Sequence, residues 1–291
     1  MTPSPLTPSR YRDSNGFGRN FQPAQANGAI WLPQTTSAAA SDDPENRGIV
    51  QRRCLAGNAT FPSAHFRVIV TSPPYNLRNS SGHGLRDGRG GKWHNAALLQ
   101  GYDQYDDCMS NDDYVAWQRL CLGEMMRLLR QDGAIFYNHK WRVQNGLLQD
   151  WHDIVSPFPV RQIIIWNRSG GINFNSGYFL PNYEVIYLIT KPKFRLAPKA
   201  NAQGCVWRIN QEVDNSHPAP FPVALAERFI SAVAKGLVLD PFIGSGSTAI
   251  AAEKLKRPWV GIEQSANYVS MAARRIGKMH DIIDDPQTPP A

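Results

Sequence analysis

The chain has 291 residues, 42% of them hydrophobic, and its 31 Lys and Arg against 24 Asp and Glu give a net charge of +7. That is room for one large domain or two small ones around a sizeable core, and the basic surplus favours an anionic partner such as nucleic acid. No apolar run reaches the roughly 18 residues of a membrane span; the four cysteines, Cys54, Cys108, Cys121 and Cys205, form no C-x-x-C pair, so neither a metal site nor a disulfide framework is indicated.

Residues 1–46 are rich in Pro, Ser, Gln, Asn and Ala and predict a disordered arm whose one apolar patch is Ala29-Ile30-Trp31-Leu32. The arm shows no charged-then-apolar signal pattern, and a cytoplasmic, nucleoid-associated protein is expected. Gly48-Ile49-Val50 opens a short strand, and Arg52-Arg53-Cys54-Leu55 follows it. Val68-Ile69-Val70 then reads as a buried strand, stopped by Pro73 and Pro74 because neither has an N–H for a sheet ladder. The result is a stiff elbow flanked by Ser72 and Tyr75, whose directed carbonyls could hold a flat group bearing an amine. A plain strand terminator is the competing reading of a Pro-Pro pair.

Residues 78–109 form a long basic loop with Arg78, Arg86, Arg89 and Lys92, suited either to a phosphate backbone or to solvent. A helix capped by Asn111 or Asp112 runs to residue 129, with Tyr114, Trp117, Leu120, Cys121, Met125 and Leu128 on one face. Asp132-Gly133 ends it, and 134–137 is the next strand, parallel to 68–70 across a βαβ unit. His139-Lys140 falls at the carboxyl edge of the sheet or on the plain surface. Residues 143–155 read as a second helix and 162–166 as a third strand. The Gly/Asn-rich loop 167–182 has no room for a helix, so the strand 183–190 returns antiparallel beside its predecessor. Residues 192–216 are irregular and basic, with Lys193, Arg195, Lys199 and Arg208 beside Phe194 and Trp207. A Pro-rich lead, His217-Pro218-Ala219-Pro220-Phe221-Pro222, enters a helix over 223–234, and 237–239 is another buried strand.

That strand ends at Asp240-Pro241-Phe242-Ile243-Gly244-Ser245-Gly246-Ser247-Thr248, followed by a helix over 249–255, a strand over 259–262 and Glu263. Strand, Gly-x-Gly turn, helix, strand and terminal acid make half of a nucleotide-binding fold: glycines admit backbone to a ligand, helix N–H groups face it, and the acid can take ribose hydroxyls. The third glycine of a dinucleotide site is absent, and Asp240 suits an ammonium or sulfonium better than a pyrophosphate, which tilts the ligand from NAD to S-adenosylmethionine. A last amphipathic helix spans 267–279, and a flexible tail covers 282–291.

Thr71-Ser72-Pro73-Pro74-Tyr75-Asn76 resembles the catalytic motif of the amino-methyltransferases that act on N4 of cytosine or N6 of adenine in DNA. The segment Asp240 to Thr248 is similar to that family's S-adenosylmethionine motif, Gly261-Ile262-Glu263 to its ribose-binding acid, and His217 to Pro222, with Phe221 and Pro222 as its cofactor contacts, to the segment over the methionine half of the cofactor. The catalytic half precedes the cofactor half, as in the circularly permuted β group. The resemblance implies a three-layer αβα, Rossmann-like domain over 47–281, with a mostly parallel seven-stranded sheet and one antiparallel strand. Its catalytic half would be 47–191, its target-recognition segment 192–216 and its cofactor half 217–281. The cofactor side would comprise Asp240, Pro241, Phe242, Gly244, Ser245, Gly246, Thr248 and Glu263; the catalytic side Ser72, Pro73, Pro74 and Tyr75. Relatives often carry Gly-Asp where this chain has Arg52-Arg53, so no cofactor role is given to Arg53. The implied partner is double-stranded DNA, with a cognate restriction endonuclease as a candidate second partner, and the implied state a monomer or homodimer. Serine at the first motif position leans to N4-cytosine over N6-adenine. RNA or protein-amide methylation, and an inactive DNA-binding relative, are the competing classes.

Overall fold

The computed structural model describes residues 47–76, 109–144, 146–168, 176–212 and 222–283. The arm 1–46, the tail 284–291, and Arg78, Arg86, Arg89, Lys92 and Phe221 lie outside the described residues. In chain order the elements are β1 Arg47–Gln51, α1 Cys54–Asn58, β2 Phe66–Thr71, α2 Asn111–Leu128, β3 Leu129–His139, β4 Arg142–Gln144 and β5 Leu147–Gln149. Then come α3 His152–Val155, β6 Val160–Asn167, β7 Tyr183–Thr190, β8 Val206–Arg208, α4 Val223–Ser231, β9 Val238–Asp240, α5 Ser247–Lys254, β10 Trp259–Glu263 and α6 Ala266–Ile283.

Among the described residues, eight strands form one sheet in the order β1-β10-β9-β2-β3-β7-β6-β8. β7 is antiparallel to both β3 and β6, and every other neighbouring pair is parallel. The parallel β2–β3 pair follows from the long α2 crossover, and the returning β7 from a β6–β7 connection too short for a parallel crossover. The sheet carries one strand more than the seven expected: β8, inside the segment expected to be irregular, pairs Trp207 with Trp166 and buries both indoles. Three residues are too few to show a period in sequence.

Side-chain alternation along β2 and β3 splits the core in two. Val68, Val70, Ala134 and Phe136 pack with Leu225 and Phe229 of α4 and the alanines of α5. Ile69, Ile135 and Tyr137 pack on the other face with Tyr114, Leu122 and Met125 of α2. Two expectations need correction. Asp132-Gly133 does not end α2: the helix stops at Leu128, and Gly133 lies inside β3 at a register shift opposite Arg67, where a Cβ would meet the Arg67 carbonyl at 2.7 Å. Residues 143–155 are not one helix either. They form the β4–β5 hairpin, turned at Gly146 with φ +77° and cross-braced by the Arg142 Nε to Gln149 Oε1 bond of 2.7 Å, with only His152–Val155 helical.

Candidate active site

The carboxyl ends of β2, β9 and β10 lie along one edge of the sheet, so the Ser72 elbow and the Asp240 turn are neighbours, not distant motifs. Tyr75 and Asn76 are buried beyond the prolines. Asn76 takes a left-handed φ of +54°, and it is held by its Nδ2 donating to the Met109 carbonyl at 2.9 Å and by Arg142 donating to its carbonyl at 2.8 Å. Tyr114 Oη donates to the Pro74 carbonyl at 2.7 Å and sits 2.7 Å from His139 Nε2. With the Tyr114 proton given to Pro74, the imidazole is the donor to Tyr114. Burial, with Arg142 nearby, lowers the His139 pKa to about 3 against a weaker opposing contact to the Lys140 carbonyl, so this ring is neutral. An aromatic stack backs the elbow: His139 lies 5.0 Å from the Tyr75 ring and 5.3 Å from Trp151, centroid to centroid.

A second group of side chains meets the elbow from β3 and β7. Tyr75 Oη donates to Glu184 Oε2 at 3.0 Å and lies 2.6 Å from Ser72 Oγ. Asn138 Nδ2 reaches Tyr75 Oη and Glu184 Oε2 at 2.8 Å each, and Ser72 Oγ at 3.4 Å. Arg168 pairs with Glu184 Oε1 at 3.2 Å.

On the neighbouring strands, Gly244 (φ +50°) and Gly246 (φ +87°) take the left-handed backbone that bends the β9–α5 turn. Asp240 is 1% exposed and spends both oxygens on that turn, accepting from Thr248 Oγ1 at 2.5 Å and from the Phe242 N–H at 3.0 Å. Burial pushes its pKa up to about 7, against those two hydrogen bonds and with the Glu263 charge adding to the rise. Asp240 thus organises the turn. Glu263 is anchored by Gly244 N–H at 3.0 Å and Ser265 N–H at 2.9 Å, one on each oxygen. A carboxylate held at the end of β10 beside the glycine turn fits a vicinal diol. Phe242 meets Trp117 of α2 edge-on at 5.9 Å. Arg275 of α6 donates to the Ser245 carbonyl at 2.8 Å and pairs with Glu212 at 2.8 Å, and Glu212 also accepts the Val223 N–H at the start of α4. Pro222 is buried at that same helix start.

A family model described as DNA methylase, of the N6/N4 class, matches residues 66–274, which contain both turns. The chain belongs to this DNA methylase family. Among curated relatives, the type II methyltransferase M.ScaI of Streptomyces caespitosus is 25% identical over 75% of this chain and 77% of its own length. The type II methyltransferase M2.MboI of Moraxella bovis is 26% identical over 83% and 91% respectively. Among solved structures, the cytosine-N4-specific PvuII DNA methyltransferase matches at a TM-score of 0.62 with 17% identity, covering 82% of this chain and 92% of that one. The DNA modification methylase TTHA0409 of Thermus thermophilus, complexed with S-adenosyl-L-methionine, matches at 0.59 with 22% identity over 80% and 93%.

In this methylase the structure brings together Ser72, Pro73, Pro74 and Tyr75 with Asp240, Pro241, Phe242, Gly244, Ser245, Gly246, Thr248 and Glu263 along one edge. It does not bring Lys193 and Arg195 there. The antiparallel β7 delivers them to the opposite edge, where the Lys193 N–H meets the Gln131 carbonyl at the start of β3. Lys199 follows near the carboxyl end of α4. Arg208, by contrast, is exposed at the carboxyl end of β6 beside Asn167, on the side of Ser72. Glu184, Asn138 and Arg168 escaped the sequence reading, and Tyr114 entered it only as part of a helix face. For Glu184 a signal existed: it is the one charged residue in the apolar strand Tyr183–Thr190.

Proposed function

We propose that this DNA methylase transfers a methyl group from S-adenosylmethionine to the exocyclic N4 amine of cytosine in double-stranded DNA. The observation that carries the reading is Ser72, a neutral hydroxyl fixed at the end of β2 next to the strand that opens the glycine turn. When bound, S-adenosylmethionine supplies an electrophilic methyl group on a sulfonium. Glu263 would take its ribose hydroxyls, and the backbone of Phe242, Gly244, Ser245 and Gly246, shaped by Asp240 and Thr248, would enclose it.

The amine is a poor nucleophile because its lone pair is delocalised into the ring. Ser72 Oγ and the Pro73 carbonyl accept its two N–H groups and turn them out of the ring plane, which localises the lone pair on nitrogen; positioning and fixed dipoles supply the acceleration. The Pro74 carbonyl accepts from Tyr114 on the other side of the elbow. Stacked inside a duplex the amine is out of reach, so the base is flipped out to meet the elbow, with Tyr75 as its aromatic wall. Arg208 at this edge neutralises a backbone phosphate. Pairing with a restriction endonuclease is supported by the type II names of the relatives. N6-adenine is the second reading, because the family model spans both amines.

Nucleoside mass spectrometry on DNA from a methylation-free host expressing the chain tests this. N4-methylcytosine is expected; N6-methyladenine would move the assignment to adenine, and neither product would overturn it.

A further inference from the structure

We propose that Glu184 is a positioning residue that fixes the direction of the hydroxyl chain running through Tyr75, so that Ser72 meets its target only as a hydrogen-bond acceptor. The inference rests on the amine-methylating reading above, and its ground is a count of protons. As the anionic half of the pair with Arg168, Glu184 has no proton to give and can only accept. The Tyr75 hydroxyl proton therefore goes to Glu184 Oε2, 3.0 Å away. The short contact of 2.6 Å between Tyr75 Oη and Ser72 Oγ needs one proton between the oxygens, and Tyr75 has none left, so Ser72 supplies it.

Asn138 locks the same direction. Its Nδ2 donates to Tyr75 Oη and to Glu184 Oε2 at 2.8 Å each; turned over, its amide oxygen would face the carboxylate with no proton between them. With its only proton committed to Tyr75, Ser72 Oγ can offer lone pairs alone to whatever lies against the elbow. An exocyclic amine presents N–H and fits. A ring carbonyl presents another acceptor and is refused, with an unpaired buried group as the cost. Glu184 is 6% exposed on an otherwise apolar strand, a position where an ion is expensive to keep unless it is paired and hydrogen-bonded on each oxygen. One oxygen is ion-paired with Arg168, and the other accepts from the chain that ends at Ser72.

Glu184→Gln tests the direction without changing the shape. Arg168 holds the amide oxygen, which leaves the Nε2 hydrogens facing Tyr75 and Asn138; the Tyr75 proton loses its acceptor on β7, and the Ser72 proton is no longer held toward Tyr75. The expected result is a fall in kcat of about tenfold or more, the effect of one misdirected hydrogen bond, with S-adenosylmethionine affinity by calorimetry and KM for DNA nearly unchanged. In a Tyr75→Phe background the relay is cut, so adding Glu184→Gln should cost less than about twofold. Wild-type kcat in folded Glu184→Gln, or losses that multiply in the double variant, would overturn the proposal. Tyr75→Phe alone keeps the ring and deletes one oxygen, so it serves if Glu184→Gln does not fold: a several-fold loss of kcat is expected, and an unchanged kcat overturns the proposal equally. Should the wild type methylate no DNA, the functional reading falls and this inference with it; an active wild type beside an equally active Glu184→Gln removes the inference alone.

Discussion

Asp240 and His139, two buried ionisable groups behind the site, titrate on folding with opposite signs. Burial raises Asp240 from its ordinary 3.8 to about 7, so between those values the folded protein binds the extra proton and stability falls as pH rises. Burial lowers His139 from 6.5 to about 3, so across that window the unfolded chain binds the extra proton and stability falls as pH drops. Asp240→Asn keeps an acceptor for the Phe242 N–H and cannot ionise; relative to wild type, its melting temperature should gain progressively as pH rises from 4 to 7. His139→Gln should instead gain relative to wild type as pH falls below 6.5. Melting curves of both variants and wild type in the same buffers check the pair, and a constant offset at all pH values would refute either assignment. Ser72, Tyr75, Asp240 and Glu263 were legible as single residues because each stands at a strand end in a strained or polar turn. Glu184 and Asn138 were not, because their role exists only through the cross-strand pairing of β3 and β7, where Asn138 lies opposite Ile186.

At the scale of elements, the glycine turn is held by packing as much as by its own backbone. A Cβ on Gly261 of β10 would lie 2.3 Å from Ile243 Cδ1 and 3.0 Å from its Cβ, in a strand whose φ is unremarkable. Gly261→Ala should therefore destabilise the fold by about 1–3 kcal/mol through overpacking alone. Adding Ile243→Val, which removes the nearest methyl, should recover part of that loss in denaturant melts; no recovery would show that the strain lies elsewhere. The long amphipathic helix α2 and the apolar strands were readable from periodicity. The β4–β5 hairpin was not, since a run of mixed residues such as 142–149 has no helical stripe and no clear alternation, and the turn depends on one positive φ at Gly146.

For the molecule as a whole, charge placement matters more than the net +7. Lys193 and Arg195 leave β7 on the edge away from Ser72, while Arg208 stands on the edge that holds it. If DNA docks over Ser72, Arg208→Gln should lower the slope of log affinity against log salt by about 0.9 for one lost phosphate contact. Lys193→Gln with Arg195→Gln should leave the slope unchanged. Anisotropy titrations at several salt concentrations separate these outcomes, and a reduced slope for the Lys193 and Arg195 variant alone would place the DNA on the other edge. Among the described residues no helix is long and apolar enough to cross a membrane.

By itself the sequence determined the layered α/β class, the reversed β7 and both motif turns. Each of these is written in local pattern: buried runs ended by Pro-Pro or Gly-x-Gly, and a connection too short for a parallel crossover. Only the tertiary structure decided that the two turns share an edge, that β8 extends the sheet, and that Lys193 and Arg195 lie on the edge opposite Ser72. It also brought Ser72 Oγ against Tyr75 Oη, and Tyr75 against Glu184. Those outcomes depend on strand order and on donors meeting acceptors across elements far apart in the chain, such as Tyr75 and Glu184, and no periodicity along one segment records them.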